Sequence, residues 1–305
     1  MPLLDALRAI TSFSPPPELP PCDLEELAHV LTAHGLAPLA SYQVEHTRIG
    51  ASLPASFREA LLGQYQGVAN DNVLKLVGLR GSLRDAPGVP VILLDAAAYV
   101  DWLYPHLAFR PVLALRIALR GEDGSRFAEA VKHHLALART EHGGRVAEFT
   151  DGRITLTAQE GLWPGGPADG PLFERRRPHP AFGPSAARPS AEDALLAMAG
   201  DQAVAGLFTP LVTFVDLREL LRLPLDAGYV RERARAAGLA RALHGACRLV
   251  SHFFPEVAEA AAAVAPELGA AERLAVERVV EAAKDPARLR HLRGAEEVAR
   301  RVVAP

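Results

Sequence analysis

Apolar residues recur along this chain in two rhythms. From about residue 54 to residue 83 they fall three and four apart, so that Leu61, Tyr65, Val68, Asn72, Leu76, Leu79 and Leu83 share one stripe of a long helix. Between Val89 and Arg120 the rhythm changes to continuous apolar runs. Val91-Ile92-Leu93-Leu94, ended by Asp95, reads as a strand covered on both faces, and so does Val112 to Leu119, in which Arg116 is the only charge. Between them Ala96 to Leu103 supplies about two helical turns, closed by Tyr104-Pro105. Gly121-Glu122-Asp123-Gly124 is expected to end the second run as a turn. Alternation returns in Val146 to Phe149 and Ile154 to Ala158, and the Asp151-Gly152 turn between them marks a hairpin.

The flanking regions read as helical. Pro2 to Phe13 is a short amphipathic helix stopped by the Pro-rich Ser14 to Pro21, and Asp23 is placed to cap a helix over Leu24 to His34. Glycine and proline from Gly161 to Pro189 predict a long loop. Ser190 with Asp193 then forms a capping-box variant ahead of Ala194 to Ala205. Helices follow at Leu211 to Leu223, Ala227 to Ala237, Leu239 to Phe254 and Val257 to Val303. The expected fold is α+β: a small mixed sheet with packing helices, preceded by helices and followed by a helical domain. The expected parts are an N-terminal helical region 1–85, an α/β core 86–160, a Pro/Gly-rich linker 161–189 and a C-terminal helical domain 190–305.

Composition narrows the picture. A chain of 305 residues with 49% hydrophobic content buries a sizeable core, and its net charge of -3 gives no general drive toward nucleic acid or an anionic membrane. Cys22 and Cys247 are far apart in sequence, which suggests a reducing compartment and no disulfide framework. No run reaches membrane-spanning length and no signal pattern opens the chain, so a soluble cytoplasmic protein is expected. His133 and His134, read on a helix, are adjacent and point apart, while His244 and His252 share a face that Cys247 does not join, so no metal is expected. No G-x-S-x-G, phosphate-binding glycine loop, H-E-x-x-H or C-x-x-C is present.

Pro90-Val91-Ile92-Leu93-Leu94, Ala97-Ala98, Leu103-Tyr104-Pro105, Arg110-Pro111 and Glu122-Asp123 follow one another in an order that resembles the uncharacterised bacterial nucleotidyltransferase family of the DNA polymerase beta superfamily. That family reads P-V-V-L-L-K-G-A-A-L, then L-Y-P, then R-P-M-x-D-I-D-L-L-V and an acidic turn. The resemblance runs over roughly residues 20 to 250. It includes Leu27 to Leu39, similar to a helix ending in a V-A-P-L-L type turn. Pro189 to Leu196 resembles an L-S-P-E-D-x-L-L helix start, and Phe214-Val215-Asp216-Leu217 a W-x-D-L segment.

The resemblance implies a site in which two strand carboxylates hold divalent ions against a triphosphate and a Lys-Gly turn approaches the phosphates. Here Asp95 stands at the Lys, Ala96 at the Gly, and Ala114 and Arg116 at the two Asp positions. On the hairpin, Thr155 and Thr157 stand where the family often has Glu and His, and its His after the S-P-E-D start falls at Gly200 or Asp201. Alanine cannot ligate and arginine repels Mg2+. The Lys and second Asp positions are thus reversed in charge, and Asp95 is expected to pair with Arg116, placing a guanidinium where the cation would sit.

Three functional classes follow. The first is a catalytically degenerate nucleotidyltransferase-like protein that uses no cofactor and acts by binding a protein or peptide partner or a ligand that needs no metal. The second is an active, Mg-dependent nucleotidyltransferase with relocated ligands, drawn from Asp95, Asp101, Glu122, Asp123 and Glu148, with Glu122 and Asp123 expected on a turn at the strand's far end. The third is a nucleotide sensor in which Arg110 and Arg116 hold phosphate without Mg2+. Asn72, a polar break in an apolar stripe, is expected to bond a loop backbone, with contact to a base or sugar as the other reading. The triplet Arg175-Arg176-Arg177 reads first as a solvated loop cluster and second as a phosphate contact.

Overall fold

The computed structural model describes residues 2–167, 170–285 and 295–304. The N-terminal region holds α1 (Pro2–Ile10), α2 (Leu24–Ala33), α3 (Ala37–His46) and α4 (Ala55–Asp85). Asp23 caps α2 as expected, accepting from the backbone N–H groups of Glu25 and Glu26. As expected, the helix within 27–39 ends in a turn: Gly35, at φ +70°, redirects the chain, and α3 starts with Pro38 in its first turn. The expected stripe of α4 faces inward, with Leu61, Asn72, Leu79 and Leu83 buried.

The middle of the chain holds β1 (Val91–Leu94), α5 (Asp95–Tyr99), β2 (Leu115–Ala118), α6 (Gly121–Val131), β3 (Ala136–Glu141), β4 (Val146–Thr150) and β5 (Thr155–Gln159). Both apolar runs became fully buried strands, although the second is shorter than its apolar stretch because Pro111 to Ala114 approaches it as irregular chain. The helix after β1 begins at Asp95 and ends at Tyr99, earlier than expected. The expected turn Gly121 to Gly124 is instead the first turn of α6, where Glu122 and Asp123 suit the positive end of the helix dipole. His133 and His134 lie just past that helix, in a turn.

Segment 161–189, expected as a loop, carries α7 (Gly170–Arg175), β6 (Arg177–Pro178) and β7 (Ala186–Arg188); residues 168–169 lie outside the described ones. Among the described residues the sheet has the order β3-β4-β5-β2-β1-β7-β6. It is mixed: β1 runs antiparallel to β2 and parallel to β7, and β2 runs parallel to β5. Short, Pro-flanked β7 showed no strand signal because a parallel pairing of so few residues draws its stability from the neighbouring strand, not from its own pattern.

The C-terminal helices are α8 (Ala191–Ala205), α9 (Leu211–Leu221), α10 (Ala227–Ala236), α11 (Ala240–Phe253), α12 (Ala258–Val264), α13 (Ala270–Ala283) and α14 (Ala295–Val303). The last expected helix, 257–303, is therefore divided, and its part at 286–294 lies outside the described residues. Ser190 caps α8, accepting from Asp193 N–H and donating to the Asp193 carboxylate at 2.8 Å. The N-terminal helices bind back onto this region: Arg8 donates to the carbonyls of His252 and Phe253, and fully buried Arg218 donates to Thr11 O.

Asn72 settles the path of the segment between α5 and β2. Its amide nitrogen donates to Leu107 O at 2.6 Å and Arg110 O at 2.9 Å, and its oxygen accepts from Val112 N–H at 2.8 Å. The backbone-bonding reading of this residue is the correct one. Both amide N–H donors and the side-chain oxygen are engaged with chain 107–112. Asn72→Ala is expected to lower unfolding stability by about 2–4 kcal/mol, because buried backbone groups lose their partners, measured by urea denaturation.

Candidate functional site

The site begins with a backbone conformation. Asp95 follows β1 directly and has φ +53°, the left-handed region that a side chain resists and that Asp tolerates better than most residues. This turn sets the Asp95 carboxylate beside Arg116, which pairs in register with Leu94 on β1 and with Thr157 on β5. The expected ion pair forms: Arg116 Nε donates to Asp95 Oδ2, and Nη2 donates to Oδ1 at 2.6 Å.

A second carboxylate completes it. Asp201, on α8, accepts from Arg116 Nη1 at 2.8 Å and from Nη2 at 2.5 Å. The guanidinium is thus held in two bidentate clamps, a geometry that uses its planar fork from both sides. Burial works against the Arg116 charge, but Asp201 and Asp95 outweigh it and keep the group charged. For Asp201 burial dominates in the other direction: it pushes the carboxyl up to about 6, with Arg116 opposing and Asp95 reinforcing.

A second clamp lies alongside. Arg110 reaches Asp216 on α9, with Nε 3.0 Å and Nη2 2.9 Å from Oδ2, while the Tyr104 hydroxyl donates to Asp216 Oδ1 at 2.5 Å. Burial opposes the Arg110 charge and Asp216 restores it. Burial, reinforced by Asp216, drives the Tyr104 hydroxyl well above its ordinary range. Two of the motifs read separately in the sequence, Arg110-Pro111 and the segment ending Asp216-Leu217, therefore meet in space as one ion pair.

Both clamps border a cavity of about 240 Å3 lined by Asp95, Ala96, Tyr99, Arg110, Ala114 and Arg116 from the core side and by Met198, Asp201, Thr209, Thr213 and Asp216 from α8, α9 and the turn between them. Three carboxylates against two guanidiniums leave this wall with one net negative charge. Of the residues singled out in the sequence, Asp95, Ala96, Arg110, Ala114 and Arg116 come together here. Thr157 and Glu148 continue the row from Arg116 across β5 and β4 but do not line the cavity, and neither does Thr155. Asp101, Glu122 and Asp123 also stand apart from it; Asp123 is buried and pairs with Arg126 at 2.8 Å. Among the described residues no group of three or more His, Cys, Asp or Glu is arranged to hold a metal ion. The Arg175 to Arg177 triplet is not a free cluster, since Arg175 pairs with Glu192 at 2.8 Å and lies over the Tyr229 ring.

Asp201, Asp216, Tyr99 and the two threonines were not read as site residues. A signal for the acids was present: each follows a mostly apolar run, Ala194 to Gly200 and Leu211 to Val215, in a helix that is largely buried. A buried acid of this kind requires a cationic partner.

The architecture is that of an α+β protein whose mixed sheet carries its chemistry at the β1–α5 turn and on β2, covered by helices from the C-terminal half. Residues 20–255 match the family described as "Uncharacterised nucleotidyltransferase", and the chain belongs to that family. No curated protein and no solved structure matches the chain. No helix among the described residues is long and apolar enough to cross a membrane.

Because Asp201 is raised from its ordinary value near 3.8 to about 6, the folded state holds this proton more tightly than the unfolded chain does. Its contribution to stability is full below about pH 4 and is lost as pH rises through about 6. Asp201→Asn removes that titration. The difference in denaturation midpoint between wild type and variant is expected to change across this window and to be flat above pH 7.

Proposed function

We propose that this member of the family is a catalytically degenerate nucleotidyltransferase that acts by binding, either a protein or peptide partner or a ligand that needs no metal. The observation that carries this reading is the position of the Arg116 guanidinium, clamped between Asp95 and Asp201. Nucleotidyl transfer in this family's fold calls for carboxylates on the second strand to hold divalent ions. The residues at those positions do not fit such ions: Ala114 has no ligand atom, and Arg116 brings a positive charge that its neighbours' carboxylates already neutralise.

A phosphate-holding sensor receives less support, because both guanidiniums of the cavity are committed to carboxylates. A wall with net negative charge favours a neutral or cationic group over a polyphosphate. The cavity, about 240 Å3, has room for a small molecule or one side chain of a partner.

Two experiments test the reading. Incubated with each nucleoside triphosphate and Mg2+ or Mn2+, the protein is expected to show no metal-dependent thermal stabilisation and no pyrophosphate release; nucleotide-dependent pyrophosphate release would overturn it. Arg116→Ala leaves two facing carboxylates and is expected to cost about 3–5 kcal/mol at neutral pH, as loss of one partner from a buried pair does. Divalent cation at ten times its dissociation constant should return about 1.4 kcal/mol to the variant and nothing to the wild type. The readout is denaturant unfolding with and without metal.

A further inference from the structure

The two carboxylates on Arg116 carry more charge than the arginine balances. Asp95 Oδ1 and Asp201 Oδ2 accept from the same nitrogen, Nη2, at 2.6 Å and 2.5 Å. Two anions therefore share one cation, whereas the neighbouring Arg110 and Asp216 match one to one. The excess charge faces open space: the Asp95 and Asp201 side chains are 23% and 28% exposed, against 10% for Arg116. A half-buried negative charge without its counter-ion is costly, and a cation in the cavity relieves it.

Tyr99 supplies a second, independent observation. The residue is only 4% exposed and lines the same cavity, yet its hydroxyl forms no hydrogen bond with any described residue, unlike that of Tyr104, which donates to Asp216. Burial first, then Asp216, Asp95 and Asp201, push its ionisation well above the ordinary range, with Arg110 opposing, so the group is a neutral phenol set among three carboxylates. Buried hydroxyls are normally paired, and the lone pairs of this one are open to a donor in the cavity. Thr209 and Thr213 add hydroxyls to the lining, and Ala96, Met198 and Leu113 give it an apolar side. Leu113, 65% exposed, carries that side out to solvent.

We propose that the cavity binds a primary alkylammonium group, its charge beside Asp95 and Asp201 and its N–H donors shared with the Tyr99 oxygen, its alkyl stem along Met198 and Leu113. Three N–H donors on one compact charge match a lining of carboxylates and hydroxyls. A quaternary ammonium has no N–H to give and is held by a cage of aromatic faces, of which the described lining has one, Tyr99. A neutral group leaves the excess charge unbalanced. The proposal rests on the reading of this cavity as a binding site that needs no metal, and it narrows the ligand to one chemistry, carried by a free small amine or by a lysine side chain.

Isothermal titration of the full chain with n-butylamine at neutral pH and constant ionic strength tests it, with n-butanol and butyltrimethylammonium as controls for charge and for N–H donors. Saturable binding of butylamine alone is expected. Tyr99→Phe, folded by circular dichroism, should weaken it about tenfold, the worth of one hydrogen bond to a charged group, and Asp201→Asn should weaken it by a similar factor. From about pH 7.5 to about pH 5 the wild-type affinity should fall about tenfold, as the Asp201 carboxyl, pushed up to about 6 by burial, takes its proton. In Asp201→Asn that fall should be lost, although the other groups facing the position, Asp95 and Tyr99 on α5, Arg116 on β2, Arg110 and Asp216 on α9, are unchanged. Nα-acetyl-lysine methylamide in place of butylamine separates the sources: equal or tighter binding assigns a partner's lysine, and exclusion assigns a free amine. No binding of butylamine, equal binding of either control, or an affinity indifferent to Tyr99→Phe and Asp201→Asn overturns the proposal. Those results leave the proposed function standing, whereas pyrophosphate release from a nucleoside triphosphate overturns that reading whatever the amine does.

Discussion

A guanidinium in the middle of a buried strand is the constraint around which this structure is organised. Arg116 sits on β2 with every neighbouring strand position buried, and removing such a charge from water costs several kcal/mol unless carboxylates replace the solvent. Two do, and they come from opposite directions. Asp95 is delivered by a left-handed turn at the end of β1, and Asp201 by a helix that begins about 100 residues later. The ion cluster thus joins the sheet to the C-terminal helices at the point where the cavity lies. The hydrophobic effect brings these layers together, but it is indifferent to their rotation. A doubly bidentate guanidinium is not, because its five donors allow only one placement of both carboxylates.

The neighbouring Arg110, Asp216 and Tyr104 repeat the device with a different pair of elements, so that α8 and α9 are each tied to the core by one charged clamp. With both arginines engaged, the positive charge visible in the sequence at this site is internal. What the cavity presents to a visitor is acidic. This arrangement links the folding role of these residues to the functional reading proposed above.

Much of the fold was legible because the relevant signals are local. The apolar stripe of α4, the Asp23 and Ser190 caps and the Asp151-Gly152 hairpin depend on neighbours within a few residues, and each formed close to where it was expected. The failures have a common physical cause. Gly121 to Gly124 resembles a turn in composition, yet an acidic first turn equally starts a helix, and only packing against the sheet decides between them. β7 is a strand because β1 pairs with it, which nothing in Ala186-Ala187-Arg188 announces. At the site, Asp95 with Arg116 was legible as a charge reversal in adjacent strand ends. Asp201 and Asp216 each follow a mostly apolar helical run, but their partners are separated from them by some 85 and 106 positions in sequence. Pattern alone does not carry that distance.

The central claim is that the Arg116 guanidinium permanently fills the position a catalytic cation would take, and the side-chain Nε–H of Arg116 reports on it directly. In a 1H–15N spectrum, with Arg116→Lys used for assignment, the account predicts a slowly exchanging Nε–H resonance that neither Mg2+ nor a nucleoside triphosphate nor both together displaces. A resonance that exchanges freely with water, or that shifts when Mg2+ and nucleotide are added together, would show that the guanidinium vacates the site and would contradict the account.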